Sequence, residues 1–295
     1  MADFRRAKAD RHAMNAGMTE KVWLITGCSS GFGRALAEAA LERGDRVVAT
    51  ARNTAPLLEL AARWPGTVHL AELDVTDTAQ CGAVVAEAVR VFGRLDVLVN
   101  NAGYGLVGAV EESTPDQIQR NFAVNFFGPL ALIRAALPYF RAAKSGHVLN
   151  ISAAAAIANY AGFGIYGAAK CALEGVSESL ALEGRGFGLK VTLVQPGPFR
   201  TDFIARGLER APSILPEYEG SSGKFGKFLA TIDGKQPGDP ARAAQSILQA
   251  VDAEKAPQRL VLGKYALEKS RRTLAQREAE LRLWEETALS ADFQP

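Results

Sequence analysis

One junction limits what this chain can fold into. Between an apolar run at 22–26 and an alanine-rich helix pattern reaching residue 43 stands Thr26-Gly27-Cys28-Ser29-Ser30-Gly31-Phe32-Gly33. Gly27 permits a tight turn, Gly31 lets backbone approach a ligand, and Gly33 lets the helix lie against the strand. The helix start adds free N–H groups and the positive end of its dipole, a cradle for phosphate. No Gly-Lys-Ser/Thr follows, so it is not a Walker loop.

The rest of the chain repeats the strand–helix alternation. Gly44 ends the first helix and Arg46–Ala51 reads as the second strand, followed by a strand at 67–73. A helix at 76–92 carries Asp77 in its first turn, and a strand follows at 96–100. Residues 114–141 hold one or two helices, broken near Gly128-Pro129. Then come a strand at 147–151, a helix at 166–183, a strand at 190–194, a helix at Pro240–Asp252 and a strand at Arg259–Leu262. The strands are near-continuous Val/Leu/Ile runs, as expected when both faces are covered. This predicts one doubly wound α/β domain, a parallel sheet with helices on both sides. A chain of 295 residues, 48% hydrophobic and 22% charged, suits such a domain.

The domain organisation expected is a flexible leader at 1–18, a catalytic domain at 19–263 and a C-terminal helix and tail at 264–295. The leader carries Arg5, Arg6, Lys8 and Arg11 and no apolar stretch, so it is not a secretory signal. Residues 202–237, rich in Gly, Ser and Pro, read as an irregular substrate loop or lid. Residues 264–288 read as one long helix, with Leu267, Leu274, Leu281 and Trp284 forming a stripe to dock on the body or another subunit. A net charge of +2 argues against nucleic acid as a partner. No apolar run reaches the roughly 18 residues of a membrane span. Cys28, Cys81 and Cys171 match neither a disulfide framework nor a zinc spacing, which points to a reducing, cytoplasmic setting. No metal site is expected: His69 and His147 read as structural and His12 lies in the leader. Cys28, in the glycine loop, is a candidate for oxidation.

Tyr166 and Lys170 are four apart, so they share one helix face. A phenol titrates near about 10. A nearby ammonium lowers that value, and Tyr166 then serves as acid or base.

Residues 26–33, Asp74-Val75, Asn100-Asn101-Ala102-Gly103, Asn125, Tyr166-x-x-x-Lys170 and Pro196-Gly197 occur in that order. The set resembles the short-chain dehydrogenase/reductase family over about residues 20–263. The resemblance implies a Rossmann-type domain, a nicotinamide cofactor, carbonyl/alcohol chemistry and a homodimer or homotetramer built on helices at 114–141 and 160–183. It implies Tyr166, Lys170 and Asn125 as catalytic, Asn125 holding a water near Lys170. For the cofactor it implies Gly27, Ser29, Ser30, Gly31, Phe32 and Gly33, with Asp74 and Val75 at the adenine. Asn101, Ala102, Gly103 and Lys170 fall at the ribose, and Tyr166, Pro196, Gly197, Phe199 and Thr201 toward the nicotinamide. The second strand ends without an acid to take the ribose hydroxyls. Arg52 instead offers a guanidinium to a 2′-phosphate, with Arg34 assisting, which favours NADP(H) over NAD(H).

The family's strand-five serine, thirteen residues before the tyrosine, is Ala153 here. Ser152 is one residue early, and a strand turns it to the opposite face. Losing such a donor costs on the order of 10²–10³ in rate. The chain is then a Ser-to-Ala form made to trap a complex, an enzyme with another donor (Asn159, Tyr160 or 202–237), or a binder without turnover. The expected function is an NADP(H)-dependent oxidoreductase on a small ketone, aldehyde or alcohol. Tyr104, Phe199, Phe203, Phe225 and Phe228 suggest an apolar or aromatic substrate. The competing readings are a non-catalytic NADP(H) redox sensor and a lyase of the halohydrin dehalogenase kind. The intact glycine loop and Lys170 speak against the lyase.

Overall fold

The computed structural model describes residues 20–293. The leader expected at 1–18 lies outside the described residues. In chain order the elements are β1 (Val22–Ile25), α1 (Gly31–Arg43), β2 (Arg46–Ala51), α2 (Leu58–Arg63), β3 (Val68–Glu72), α3 (Thr78–Phe92) and β4 (Val97–Asn100). There follow β5 (Gly105–Val107), α4 (Pro115–Phe122), α5 (Gly128–Ala143), β6 (Gly146–Ile151), α6 (Ala154–Ile157), α7 (Gly164–Glu183) and β7 (Leu189–Pro196). The last are α8 (Phe203–Arg206), β8 (Leu208–Arg210), α9 (Lys224–Ile232), α10 (Pro240–Asp252), β9 (Arg259–Leu262), α11 (Lys264–Leu283) and α12 (Glu285–Leu289).

The main sheet runs β3-β2-β1-β4-β6-β7-β9, with every pairing parallel. Alternate residues of its strands serve two cores, as the pleat dictates. Trp23, Ile25, Val47, Ala49, Val97 and Val99 pack with α1 and α10. Leu24, Val48, Leu98 and Val148 pack with α3 and α5 on the other face. Trp23 enters its core fully buried because its indole N–H donates to Asp45 Oδ2 at 2.8 Å.

Local chemistry sets the helix ends. Gly44 caps α1 at φ 99°, a left-handed conformation that glycine takes freely. Asp77 is the N-cap of α3 rather than part of its first turn, and accepts from Ala79 N and Gln80 N. Thr114 and Gln117 cap α4 reciprocally, and Asp239 caps α10.

Four sequence expectations give way. The helix at 114–141 is not broken at Gly128-Pro129: α4 runs into α5 through a π turn at Ala123–Phe127. That turn shifts the hydrogen-bond register where Pro129 lacks a donor. The composite helix spans 29 residues and contains an 18-residue stretch with a mean hydropathy of 1.3, long and apolar enough to cross a bilayer, contrary to the sequence reading. Its Leu132, Ile133, Ala136 and Phe140 are instead packed in the second core.

Residues 202–237 are not irregular. They contain α8, β8, a π turn at Glu219–Gly223 and α9. Gly220, Gly223 and Gly226 hide the helical pattern, and β8 exists only by parallel pairing with β5, a non-local contact. The C-terminal helix stops at Leu283, where Trp284 leaves helical geometry (φ −107°, ψ 11°). Its body-facing side is Ala266, Lys269 and Thr273, while Leu267, Leu274, Leu281 and Trp284 are exposed. The stripe therefore does not dock on the body.

Candidate functional site

The glycine loop joins the C-terminal end of β1 to α1. Gly27 and Gly31 have φ 69° and 61°, where a side chain is strained. A Cβ on Gly33 would lie 2.4 Å from both Gly27 O and Asn101 Nδ2. Asn101 braces the loop: its Nδ2 donates to Thr26 O at 2.7 Å and Gly27 O at 3.1 Å. Thr26 Oγ1 accepts from the backbone N–H groups of Asn101 and Ala102, each at 2.9 Å. Unlike α3, α4 and α10, α1 begins without a side-chain cap at Ser30. Its first N–H groups face a cleft of about 1530 Å³ that opens at the carboxyl ends of the strands.

Nearly all the sequence-selected residues line this cleft. Gly27, Ser29, Ser30, Gly31 and Phe32 form one wall, with Arg52, Asp74 and Val75 at its far end. Asn101, Ala102, Gly103, Ala153, Tyr166 and Lys170 form the middle, and Pro196, Gly197, Phe199 and Thr201 the opposite rim. Gly33 and Asn125 stand behind it. The spacing and order of the motifs therefore converge on a single surface large enough for a dinucleotide and a small substrate.

At the far end Arg52 makes no hydrogen bond or ion pair among the described residues. Asp74 Oδ1 accepts from the Thr76 N–H and hydroxyl, at 2.9 and 2.7 Å. Those bonds, with the nearby Arg52 guanidinium, hold its carboxyl below the usual range. Arg34 does not join them, against expectation. It is held by Glu38 (2.6 Å), Glu59 (3.0 Å) and Pro56 O (3.0 Å), which leaves its guanidinium turned from the cleft.

In the middle, Tyr166 and Lys170 project from α7 and are both buried. Lys170 Nζ donates to Ile151 O at 2.9 Å and lies 5.8 Å from the Tyr166 ring centre. Burial lowers the Lys170 ammonium to about 8 and pushes the Tyr166 phenol up. The sequence expectation of a phenol lowered by its lysine does not hold in the free chain. Desolvation acts on both groups, and the lysine is itself reluctant to carry charge. Asn125, fully buried in the π turn, donates to Tyr104 O (2.9 Å) and Asn121 O (3.0 Å). Its Oδ1 has no partner among the described residues. A Cβ on Gly103 would sit 2.6 Å from that oxygen and 3.4 Å from Lys170 Nζ, so both groups converge behind one glycine.

Ala153 presents only a methyl group to the cleft, beside Tyr166, Phe163 and Val107. The Ser152 hydroxyl is committed elsewhere: it donates to Glu174 Oε1 at 2.5 Å, and Gln195 Nε2 donates to the same oxygen. Asn159 is no substitute donor, since its amide bonds Gly164 O and Tyr160 N outside the cleft. Tyr160 does line it. Its ring stacks on Phe225 (5.3 Å, 13°), has Lys269 Nζ 3.2 Å above it, and its hydroxyl meets Tyr265. Tyr104, Phe199, Phe203, Phe225 and Phe228 all line the cleft as expected, with Phe199 against Phe32 at the loop end.

Sequence reasoning missed Phe163, Gln236, Tyr265 and Lys269. Gln236 is buried at the cleft wall with neither amide atom partnered among the described residues. Tyr265 and Lys269 sit on a helix without a motif, and only a tyrosine at its first turn hinted at them. The thiol of Cys28 is not an oxidation site: it is fully buried and pushed up to about 12, where the thiolate is scarce. His147, held to about 3 by burial, sits neutral in the core against Thr192.

A family model for short chain dehydrogenases matches residues 21–210. The "Oxidoreductase BOA17" of Botryotinia fuckeliana is 35% identical over 272 residues, 92% of this chain and 99% of that protein. A short-chain dehydrogenase structure from Streptomyces avermitilis shares 44% identity and a TM-score of 0.88, over 93% of this chain and all of that one. A serine dehydrogenase complexed with NADP+ shares 25% identity and a TM-score of 0.70, over 82% of this chain and 94% of that one. Another solved neighbour is a complex with NAD. The chain belongs to the short-chain dehydrogenase/reductase family, on the parallel α/β fold described above. It is an oxidoreductase of that family, and two of the solved neighbours named above hold NAD and NADP+.

Proposed function

We propose that the chain is an NADP(H)-dependent oxidoreductase that interconverts an apolar or aromatic ketone or aldehyde with its alcohol. The observation that carries the reading is the buried Tyr166–Lys170 pair at the floor of a cleft whose substrate end is walled by aromatic rings. Burial keeps the Tyr166 phenol protonated, which suits it to donate to a carbonyl oxygen in reduction. Asn125 Oδ1 and Lys170 Nζ, converging behind Gly103, guard the proton path to that phenol. The glycine loop and the uncapped start of α1 hold the dinucleotide phosphates, Asp74 and Val75 the adenine end. Arg52, with no acceptor among the described residues, takes the 2′-phosphate and gives NADP(H) its preference over NAD(H). The dinucleotide supplies the hydride when bound. The free thiols of Cys28, Cys81 and Cys171 fit a reducing, cytoplasmic setting.

Ala153 and the diverted hydroxyl of Ser152 favour a second reading, a redox sensor that binds NADP(H) without turnover. Nucleotide oxidation by this chain and by Ala153→Ser, over aryl and alkyl ketones and aldehydes, separates the two. The oxidoreductase reading expects NADPH to outperform NADH and the serine form to gain on the order of 10²–10³-fold. Equal, substantial rates would place the second donor elsewhere, at Tyr160 first. NADPH binding without turnover in either form supports the sensor.

A further inference from the structure

We infer that α11 is a self-association element that pairs antiparallel with the same helix of a second copy of this chain. Leu267, Leu274 and Leu281 recur every seven residues on the side of α11 that does not touch the body. Leu274 and Leu281 are 64% and 69% exposed, too apolar a row to be left in water without cause. A seven-residue apolar repeat is the seam of a helix pair, and the residues flanking it choose partner and direction.

The flanking charges choose both. Residues 264–275 carry Lys264, Lys269, Arg271 and Arg272 against Glu268 alone. Residues 276–289 carry Glu278, Glu280, Glu285 and Glu286 against Arg277 and Arg282. Parallel pairing would set like halves together. Antiparallel pairing about a two-fold axis at Leu274 sets Leu267 against the second copy's Leu281. The same register brings Arg271 to the second copy's Glu278, and Lys264 to its Glu285, with each pair repeated by symmetry. Arg271 and Glu285 have no ion-pair partner among the described residues. An anionic lipid surface suits this helix poorly, because its C-terminal half is acidic where a surface-binding helix is basic. The inner side of the same helix brings Tyr265 and Lys269 to Tyr160, so association would brace a wall of the substrate cleft.

Cysteine cross-linking reads the geometry directly. In a Cys171→Ser background, which removes the one exposed native thiol, Leu274→Cys is expected to form a disulfide-linked dimer under mild oxidant. Leu267→Cys and Leu281→Cys are each expected to stay unlinked alone and to link when mixed. Self-linking of Leu267→Cys would mean parallel pairing, and no link at Leu274→Cys would mean none; either overturns the inference. In sedimentation, Leu274→Glu is expected to halve the particle mass with an unchanged circular dichroism spectrum. Arg271→Glu should weaken association and Arg271→Glu with Glu278→Arg restore it. Unaltered mass in Leu274→Glu, or co-sedimentation with phosphatidylserine vesicles that depends on Leu274 without any cross-link, would also overturn it.

Discussion

Lys170 sits where a charge is costly, and that cost has a pH signature. Its ammonium, lowered by burial to about 8, compares with about 10.5 in an unfolded chain. Below pH 8 both states hold the proton and the folded state bears the full penalty. Between about 8 and 10.5 the unfolded chain binds more protons, so stability rises with pH, by up to roughly 3 kcal/mol. Tyr166, pushed up by burial, acts oppositely above about 10, because the folded phenol keeps a proton that the unfolded one loses. Urea unfolding of the native chain and of Lys170→Met, compared from pH 7 to 9.5, should therefore show the native chain gaining on the variant. A gap between them that stays flat with pH would refute the burial argument. The spacing of Tyr166 and Lys170 in the sequence was enough to put them on one face. It could not tell that both would be desolvated, because the cover comes from Ile151, Ala153 and Phe163, brought together only by the fold. Arg34 shows the opposite error: it adjoins the glycine loop in sequence, but Glu38 and Glu59 claim it.

The composite helix α4–α5 is where element-level reading fell short. Gly128-Pro129 reads as a helix break, since those two residues usually end helices. Here the glycine is an approach site. A Cβ on Gly128 would lie 2.6 Å from Val75 O and 2.9 Å from Val75 Cβ, so the helix touches the backbone that follows β3. Gly128→Ala forces the helix or the 73–76 segment to move. Overpacking of this kind costs about 1–3 kcal/mol. We expect a lower Tm in calorimetry and a weaker dinucleotide Kd, because Asp74 and Val75 shift with it. A variant with native Tm and Kd would show that the contact yields freely. The long parallel strands were legible because burial on both faces makes their sequences continuous apolar runs. The three-residue strands β5 and β8 were not, because each exists only through the other.

At the scale of the whole molecule, the boundary expected at residue 263 is crossed by packing. Ala266 lies buried against Ala154 and Ile157, and Lys269 and Tyr265 reach Tyr160. Ending the chain after Gly263 removes that wall of the cleft but none of the glycine loop. Without Lys269 over its ring and Tyr265 at its hydroxyl, Tyr160 is no longer held at the cleft wall. The kcat/KM for a carbonyl substrate of the proposed class should then fall about tenfold, the equivalent of about 1.4 kcal/mol of transition-state binding. The dinucleotide Kd, read by fluorescence titration, should stay within about twofold. A loss of nucleotide affinity equal to the loss of kcat/KM would show that α11 supports the entire fold instead. The uncapped start of α1 reaches further still. Helices α3, α4 and α10 close their own ends with Asp77, Thr114 and Asp239; α1 has no such side chain and opens on the cleft, which leaves that task to a molecule the cell must supply. Whatever binds there and not to the unfolded chain adds stability by mass action, about 2.7 kcal/mol at a hundredfold excess over Kd. The lifetime of this protein against proteolysis is thereby tied to the local nucleotide pool: a starved cell would hold fewer copies of it before any rate of catalysis changed.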